Sequence, residues 1–571
     1  MAASSSTIDQ LIQQKKEKVR QPGSASRLSL FNTNTSSSDI KSDSSFMSKE
    51  TNLRLFETFP FPRAADAFSI EKPNIIFATR NSPDGVGDMM HLLRFGRDSI
   101  KLATENGYGL IGILQIGAGV GEEFDLIFKT IENELKTHSF DKLYVLLNDG
   151  RHGYKSRLEQ LHLPNVMVKD INTYCQDQDY ISDLDKACIL VEIITGAFSS
   201  IRYTNKRLLH VTIDEYACNS PVYPFQFLHP NMGLSVISGK KDSYGIHLAK
   251  FKKYSLQQKA ESLLNFKTPG FVSMLLNTPE PTIDAAKDYF STTLLFPGYL
   301  QATGVAHVFI GAHVYKNMRD GRLTKHCDFL LNKACIDEPG IRAILNKTGI
   351  FNIHFVSANS LRPVSNADQS SEPGVRIIAF RTEQDDYAEL YRLTEGAGTA
   401  FSGDNSASDA FSSFSIPFST YFHCCSSFYD NFFCRLSEFL SLLTREENGE
   451  EVIIYSKLVT YFSQLKTTLS NHSFESFQLA NRDDGYLDKH IELIKKFGNV
   501  LKDPSLQLEW ELLRNRLVTD YNYSQNYQFF ILKGLLYLAS NNYDFNYLFG
   551  HLSFIKKCRE LGVLTESSMQ G

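Results

Sequence analysis

The residues of this chain best suited to chemistry lie between Glu395 and Phe418. There Glu395-Gly396-Ala397-Gly398-Thr399-Ala400-Phe401-Ser402 runs into Gly403-Asp404-Asn405-Ser406-Ala407-Ser408-Asp409-Ala410. A strand ending in glycine, then a polar turn and a helix start, leaves backbone N–H groups without partners at the helix N-terminus. Such groups bind an anion such as a diphosphate. Ser406 or Ser408 is placed to cap that helix, and Asp404 or Asp409 to accept hydrogen bonds from sugar or ribose hydroxyls. With no ligand, the same pattern is an ordinary turn between strand and helix.

The second segment is Asp84-Gly85-Val86-Gly87-Asp88-Met89-Met90-His91. It is a glycine-rich loop after an apolar run, the place where a doubly wound domain meets its ligand. A group transfer to a hydroxyl or amine needs a carboxylate or histidine to take the acceptor's proton. Asp88 is the candidate, and His91, one turn further on, competes for that role. Asp88 is also a favoured helix cap.

The first segment resembles the donor-binding motif of GT-B glycosyltransferases, in which a strand, a glycine-rich turn with an acidic residue, a helix start and a strand carrying proline recur. Gly403-Asp404-Asn405-Ser406 is similar to the Gly-Glu-Asp-Ser turn of bacterial protein-arginine rhamnosyltransferases, with Asp404 where Glu is usual and Asn405 where Asp is usual. Gly87-Asp88 matches a Gly-Asp pair that supplies a carboxylate in the same family. The resemblance implies two loops, about 315 residues apart, meeting across an interdomain cleft. It implies Asp88, Asp404 and His91 as catalytic candidates. It places Gly85, Gly87, Glu395, Gly396, Gly398, Thr399, Gly403, Asn405, Ser406, Ser408 and Asp409 at the donor and acceptor. It further implies a nucleotide sugar as co-substrate, no separate cofactor, no metal, and a protein or other acceptor.

Weaker signals point elsewhere. Gly117-Ala118-Gly119-Val120-Gly121 imitates a dinucleotide fingerprint, but the third glycine position is Glu122, which would repel a pyrophosphate, so a tight turn is expected. Asp177-Gln178-Asp179 and Asp183-Leu184-Asp185 have the D-x-D form of metal-dependent transferases without a convincing apolar strand before them, and read as solvated loop acids. Arg202, Lys206 and Arg207, and Lys240, Lys241, Lys250, Lys252 and Lys253, are basic clusters that read as solvated faces. There is no G-x-S-x-G, Walker loop or H-E-x-x-H. Two rival functions share these loops: a nucleotidyltransferase or nucleotidase that binds free nucleotide, and a non-enzymatic scaffold whose helices bind a partner.

The elements that must hold these loops follow from apolar periodicity. Runs at 74–79, 110–116, 143–147, 165–168 and 208–213 read as strands. Patterns at 89–105, 122–136 and 184–199 read as helices. A second alternating series gives strands at 305–310, 352–357, 375–380, 399–402 and 416–418. Helices are expected there at 341–346, 385–393 and 408–414, with 403–406 as a loop. The last part reads as helices at 436–444, 453–469, 488–501 and 529–540. The expected fold is α/β: two Rossmann-like doubly wound domains, GT-B-like, with a helical C-terminal region. Boundaries fall as a disordered polar arm (1–50, with a short helix at 8–18), an acceptor domain (51–295), a donor-binding domain (296–428) and the helices (429–571).

Composition is consistent with this. At 571 residues the chain exceeds one core, and a net charge of −5 argues against a protein devoted to nucleic acid. Nine cysteines without a C-x-x-C pair suit reduced, buried thiols. The first residues lack a signal-peptide pattern, and no stretch reaches the roughly 18 apolar residues of a membrane span. A cytoplasmic protein is expected, and the polar, Asn/Lys-rich composition also suits a bacterial protein delivered into a host cell by a specialised secretion system.

Overall fold

The computed structural model describes residues 61–81, 85–117, 119, 121–147, 153–194, 209–214, 227–228, 246–268, 270–300, 302–356, 372–379, 384–402, 404–419, 444–447, 450–470, 484–520 and 522–523, and four single positions beyond these. The polar arm, its short helix, and most of the expected helices at 436–444 and 529–540 lie outside them. After a one-turn helix, Ala64–Ala67, the first apolar run forms β1 (Asn74–Asn81), buried on both faces. A strand with no solvent face belongs in the middle of a parallel sheet covered by helices. It is followed by α1 (Gly87–Glu105), β2 (Gly109–Ile116), α2 (Glu122–Glu134), β3 (Lys142–Leu147), α3 (Tyr154–Gln160), β4 (Val166–Asp170), α4 (Gln178–Asp185), β5 (Ala187–Ile194), β6 (Leu209–Asp214) and β7 (Phe227–Leu228). The sheet order is β4-β3-β2-β1-β5-β6-β7, parallel throughout. The chain winds outward from β1 to β4, then returns to the other side of β1 at β5. That reversal is the topological switch point, where a doubly wound sheet opens a crevice at the strands' C-terminal ends.

A second sheet repeats the plan. Helices α5 (Leu256–Leu264), α6 (Phe271–Leu275) and α7 (Ile283–Thr292) lead into β8 (Thr293–Gly298), α8 (Thr303–Lys316), the short β9 (Met318–Arg319) and β10 (Arg322–Leu323), and β11 (His326–Leu331). Then come α9 (Glu338–Lys347), β12 (Ile353–Val356), β13 (Val375–Ala379), α10 (Gln384–Leu393), β14 (Thr399–Phe401), α11 (Asp404–Ser412) and β15 (Pro417–Ser419). The order β12-β13-β11-β8-β14-β15 is again all parallel, with its switch point between β8 and β14, where Gly298 pairs with Ala400. Elements of this sheet start before residue 296: β8 crosses that position, and Leu263, Phe271 and Ala286 of α5–α7 pack on Leu295, Leu330 and Ile378.

A hairpin, β16 (Thr444–Glu447) and β17 (Glu450–Ile453), precedes α12 (Ser456–Ser470), α13 (Asp484–Leu501) and α14 (Pro504–Asp520). Helix α13 lies along α8, with Gly311 directly against Ile494. The single tryptophan, Trp510, meets Phe411 edge-on at 5.5 Å and so seats α14 on α11. Beyond α14 the chain reaches the first sheet's layer: Tyr523 N–H donates to Ile246 O (2.7 Å), and its ring meets Phe95 of α1 at 5.7 Å. No described helix is long and apolar enough to cross a membrane. The architecture is thus α/β, two doubly wound Rossmann-like sheets with a helical C-terminal region.

Three expectations are corrected. The run at 187–194 is strand β5, not part of a helix over 184–199, and α4, capped by Asp177, occupies the residues before it. The run at 305–310 is helix α8, not a strand, and the strand is β8 just upstream. Both runs are buried on all sides, so neither shows the one-sided period that separates helix from strand. The third concerns 404–406, read as loop, which form the first turn of α11.

Candidate active site

Each sheet presents a helix N-terminus beside its switch point. In the first, α1 starts at Gly87 with Val86 in the N-cap position, and Val86 has no side-chain oxygen to offer. Asn81, at the end of β1 and fully buried, supplies it: its Oδ1 accepts from Met89 N–H at 3.2 Å, and its Nδ2 donates to Gly85 O at 2.7 Å. Asp88 is therefore not the cap. It is the second residue of the helix and is buried, where the helix dipole favours an anion. His91 lies one turn on and is completely buried. A side chain at Gly85 would meet nothing within 4 Å, so this backbone borders open space.

In the second sheet, α8 starts at Thr303 just after β8, and α11 at Asp404 just after β14. The two strand ends are tied together: Tyr299 N–H donates to Ala400 O (3.0 Å), and Ser402 Oγ–H donates to Tyr299 O (2.8 Å). Two helix N-termini thus flank one switch point, the arrangement that favours a diphosphate. Asp404 and Asn405 lie in the first turn of α11. Gly403 lies outside the described residues. Ser406 and Ser408 are buried within the helix, so neither occupies the capping position.

The two sites are joined. Helix α1 packs on α11, and Arg94 Nη2 stands 3.4 Å from Asp409 Oδ1, a contact spanning 315 residues of sequence. Burial pushes the Asp409 carboxyl above its usual range, against the opposing pull of Arg94 and His91. Asp409 therefore belongs to the seam between the sheets. Behind it, His247 Nε2 lies 3.2 Å from Asp98 Oδ2. That carboxylate favours a charged ring, but full burial and the nearby Arg94, His91 and Arg97 act against it. The His247 pKa falls well below its ordinary value, leaving a neutral ring.

Four further candidates precede the first turn of α11 in the chain. Glu395 is paired with Lys253 (3.2 Å) and Lys259 (3.4 Å). Gly396 takes a left-handed φ of 81°, and its carbonyl accepts from Lys316 Nζ at the C-terminal end of α8. A Cβ on Gly398 would come within 2.1 Å of the His313 ring, so this glycine permits close packing. Thr399 opens the strand and is buried. Gly396 and Gly398 thus pack near the C-terminal end of α8, while α11 starts after β14.

The other motifs are structural. Asp177 caps α4 through Tyr180 N–H and pairs with Lys169 at 2.5 Å. Asp183 accepts from Lys142 (2.6 Å) and Tyr144 (2.5 Å), so Asp177 and Asp183 are engaged, while Asp179 and Asp185 are solvent-exposed as expected. Gly121 has a φ of 97°, and a Cβ on Gly119 would strike Phe124 at 2.2 Å, as expected of a tight turn. Lys253 belongs to the Glu395 and Glu511 network. The clusters at 202–207 and 240–241 lie outside the described residues. Sequence reading missed Asn81, Arg94 and His247. Asn81 carried a usable signal, a capping residue type at the end of a strand just before a helix whose own N-cap is Val86.

No known family matches the sequence, and no curated protein does. Among solved structures, similarity extends to the N-terminal domain of trehalose-6-phosphate phosphatase from Candida albicans (9% identity, TM-score 0.26, covering 81% of this chain and 100% of that one). It extends also to an O-GlcNAc transferase mutant from Thermobaculum terrenum (10% identity, TM-score 0.25, covering 82% and 70%) and to an α,α-trehalose-phosphate synthase (UDP-forming) from Burkholderia vietnamiensis (7% identity, TM-score 0.22, covering 76% and 99%). Likeness at this level is coarse, and the functional reading rests on the geometry above.

Proposed function

We propose that this chain is a glycosyltransferase of the GT-B kind, moving a sugar from a nucleotide sugar to a protein or other acceptor without a metal. The observation that carries the reading is the contact of α1 with α11 through Arg94 and Asp409, which puts the helices of the two switch points side by side. The first turn of α11, from Asp404, holds the donor diphosphate with its N–H groups, and Asp404 contacts the sugar. Asp88 takes the proton from the acceptor's hydroxyl or amine as that atom bonds to the anomeric carbon. The bond from that carbon to the diphosphate oxygen breaks, and its electron pair leaves with the diphosphate. The helix dipole stabilises the charge that develops there. Independence from metal is supported by the engagement of Asp177 and Asp183 in a helix cap and ion pairs.

Thermal unfolding against a panel of nucleotide sugars and free nucleotides tests this, with Asp404→Ala alongside. A donor at 100 times its dissociation constant adds about 2.7 kcal/mol. A shift with one nucleotide sugar, lost in the variant, supports the transferase. A shift with free nucleotide alone favours a nucleotide-processing enzyme. No shift with any ligand contradicts both.

A further inference from the structure

Asn81 does more than end a strand. Its amide bonds in two directions at once: Oδ1 receives the Met89 N–H in the first turn of α1, and Nδ2 holds the Gly85 carbonyl. A backbone N–H can only donate and a carbonyl only accept, so the orientation of the amide is fixed by its partners. The Asn81 carbonyl also receives Gly117 N–H at 3.1 Å, joining the turn after β2 to the same point. The side chain is fully buried, so solvent cannot replace these bonds. Only asparagine meets both demands at this length. Aspartate keeps the helix cap and suits the dipole better, but it turns an oxygen lone pair toward the Gly85 oxygen. Alanine loses both bonds.

We infer that Asn81 is a positioning residue that sets where Asp88 stands in the crevice, by clamping the backbone on either side of it at Gly85 and Met89. This rests on the proposed role of Asp88 as base. A general base works only within hydrogen-bond reach of its proton, and displacement by about 1 Å costs on the order of a hundredfold in rate. The donor is bound on the other sheet, so its binding is insensitive to the clamp.

The test compares Asn81→Asp and Asn81→Ala in the full chain, by steady-state kinetics with the nucleotide sugar that stabilises the protein most and by amide hydrogen exchange. Asn81→Ala lowers kcat about a hundredfold, and Asn81→Asp about tenfold, both with donor KM within about twofold of wild type. Exchange at Met89 rises about fivefold in Asn81→Ala and stays near wild type in Asn81→Asp, which retains the cap. A folded Asn81→Ala protein with wild-type kcat overturns the inference, as does a loss in KM alone. If the wild-type chain turns over no nucleotide sugar, the proposed function fails, and exchange still decides the clamp: unchanged protection at Met89 in Asn81→Ala refutes it.

Discussion

Replacing Arg94 by methionine tests the seam between the two sheets. Met keeps most of the aliphatic stem but leaves Asp409 buried without its cation; the side chains of Arg94 and Asp409 are 16% and 7% exposed. Removing one partner of a buried pair costs about 3–5 kcal/mol, because the remaining charge is stranded. The cost has a ceiling, since the carboxyl can take a proton instead. A group with an ordinary pKa of 3.8 is kept protonated at pH 7 for no more than about 4 kcal/mol, at about 1.4 kcal/mol per pH unit. Arg94→Met should therefore destabilise by about 3 kcal/mol at pH 7 in urea titrations. At pH 5 the ceiling falls by about 2.7 kcal/mol, to about 1.6 kcal/mol, and roughly half of the loss should vanish. The direction follows from the raised Asp409 pKa: its neutral form is the better tolerated one in the fold, so stability is lost as pH rises through that pKa. Asp409→Asn in the Arg94→Met background should recover most of the deficit. A deficit equal at both pH values, or no recovery with Asp409→Asn, would refute the assignment of Asp409 to this seam.

Two further expectations concern residues near the sequence motifs. Burial holds the His313 pKa well below its ordinary 6.5, so below that pH the unfolded chain gains a proton the fold cannot accept. Stability then falls by up to about 1.4 kcal/mol per pH unit, and His313→Gln should show a correspondingly shallower acid slope in urea titrations between pH 7 and 5. Gly398→Ala pushes a methyl into the His313 ring and should cost about 1–3 kcal/mol. Gly85→Ala, facing open space, should stay within about 0.5 kcal/mol of wild type; thermal melts of the two variants separate packing glycine from crevice glycine.

The fold was legible wherever a run of apolar residues was bounded by breakers. Asn74 to Asn81, Gly109 to Ile116 and Lys142 to Leu147 each stand between glycine, proline or charged turns, and the alternation of strand and helix gave the doubly wound sheets. It was not legible where burial is complete. Helix α8 is apolar on every side because the second sheet covers one face and α13 another, and β8 hides behind Pro297 with no break after α7. The site was half legible. A glycine loop before a helix marked both α1 and α11, because a turn from strand to helix is a local pattern. Glu395, Gly396 and Gly398 were drawn into the same site because they neighbour α11 in sequence. Gly396 and Gly398 pack near the C-terminal end of α8, with the short β14 between them and α11. Arg94 acts through a tertiary contact, which no spacing along the chain encodes, whereas Asn81 caps α1 from the end of the preceding strand.

The central claim is that Asp88 removes the acceptor's proton while the α11 side holds the donor. Release of nucleoside diphosphate from the stabilising nucleotide sugar, measured for wild type and Asp88→Asn beside donor affinity, addresses it most directly. The account predicts donor affinity within about twofold and turnover lowered by about a hundredfold or more in the variant. Equal turnover in Asp88→Asn, or wild-type protein that binds no nucleotide sugar, would contradict it.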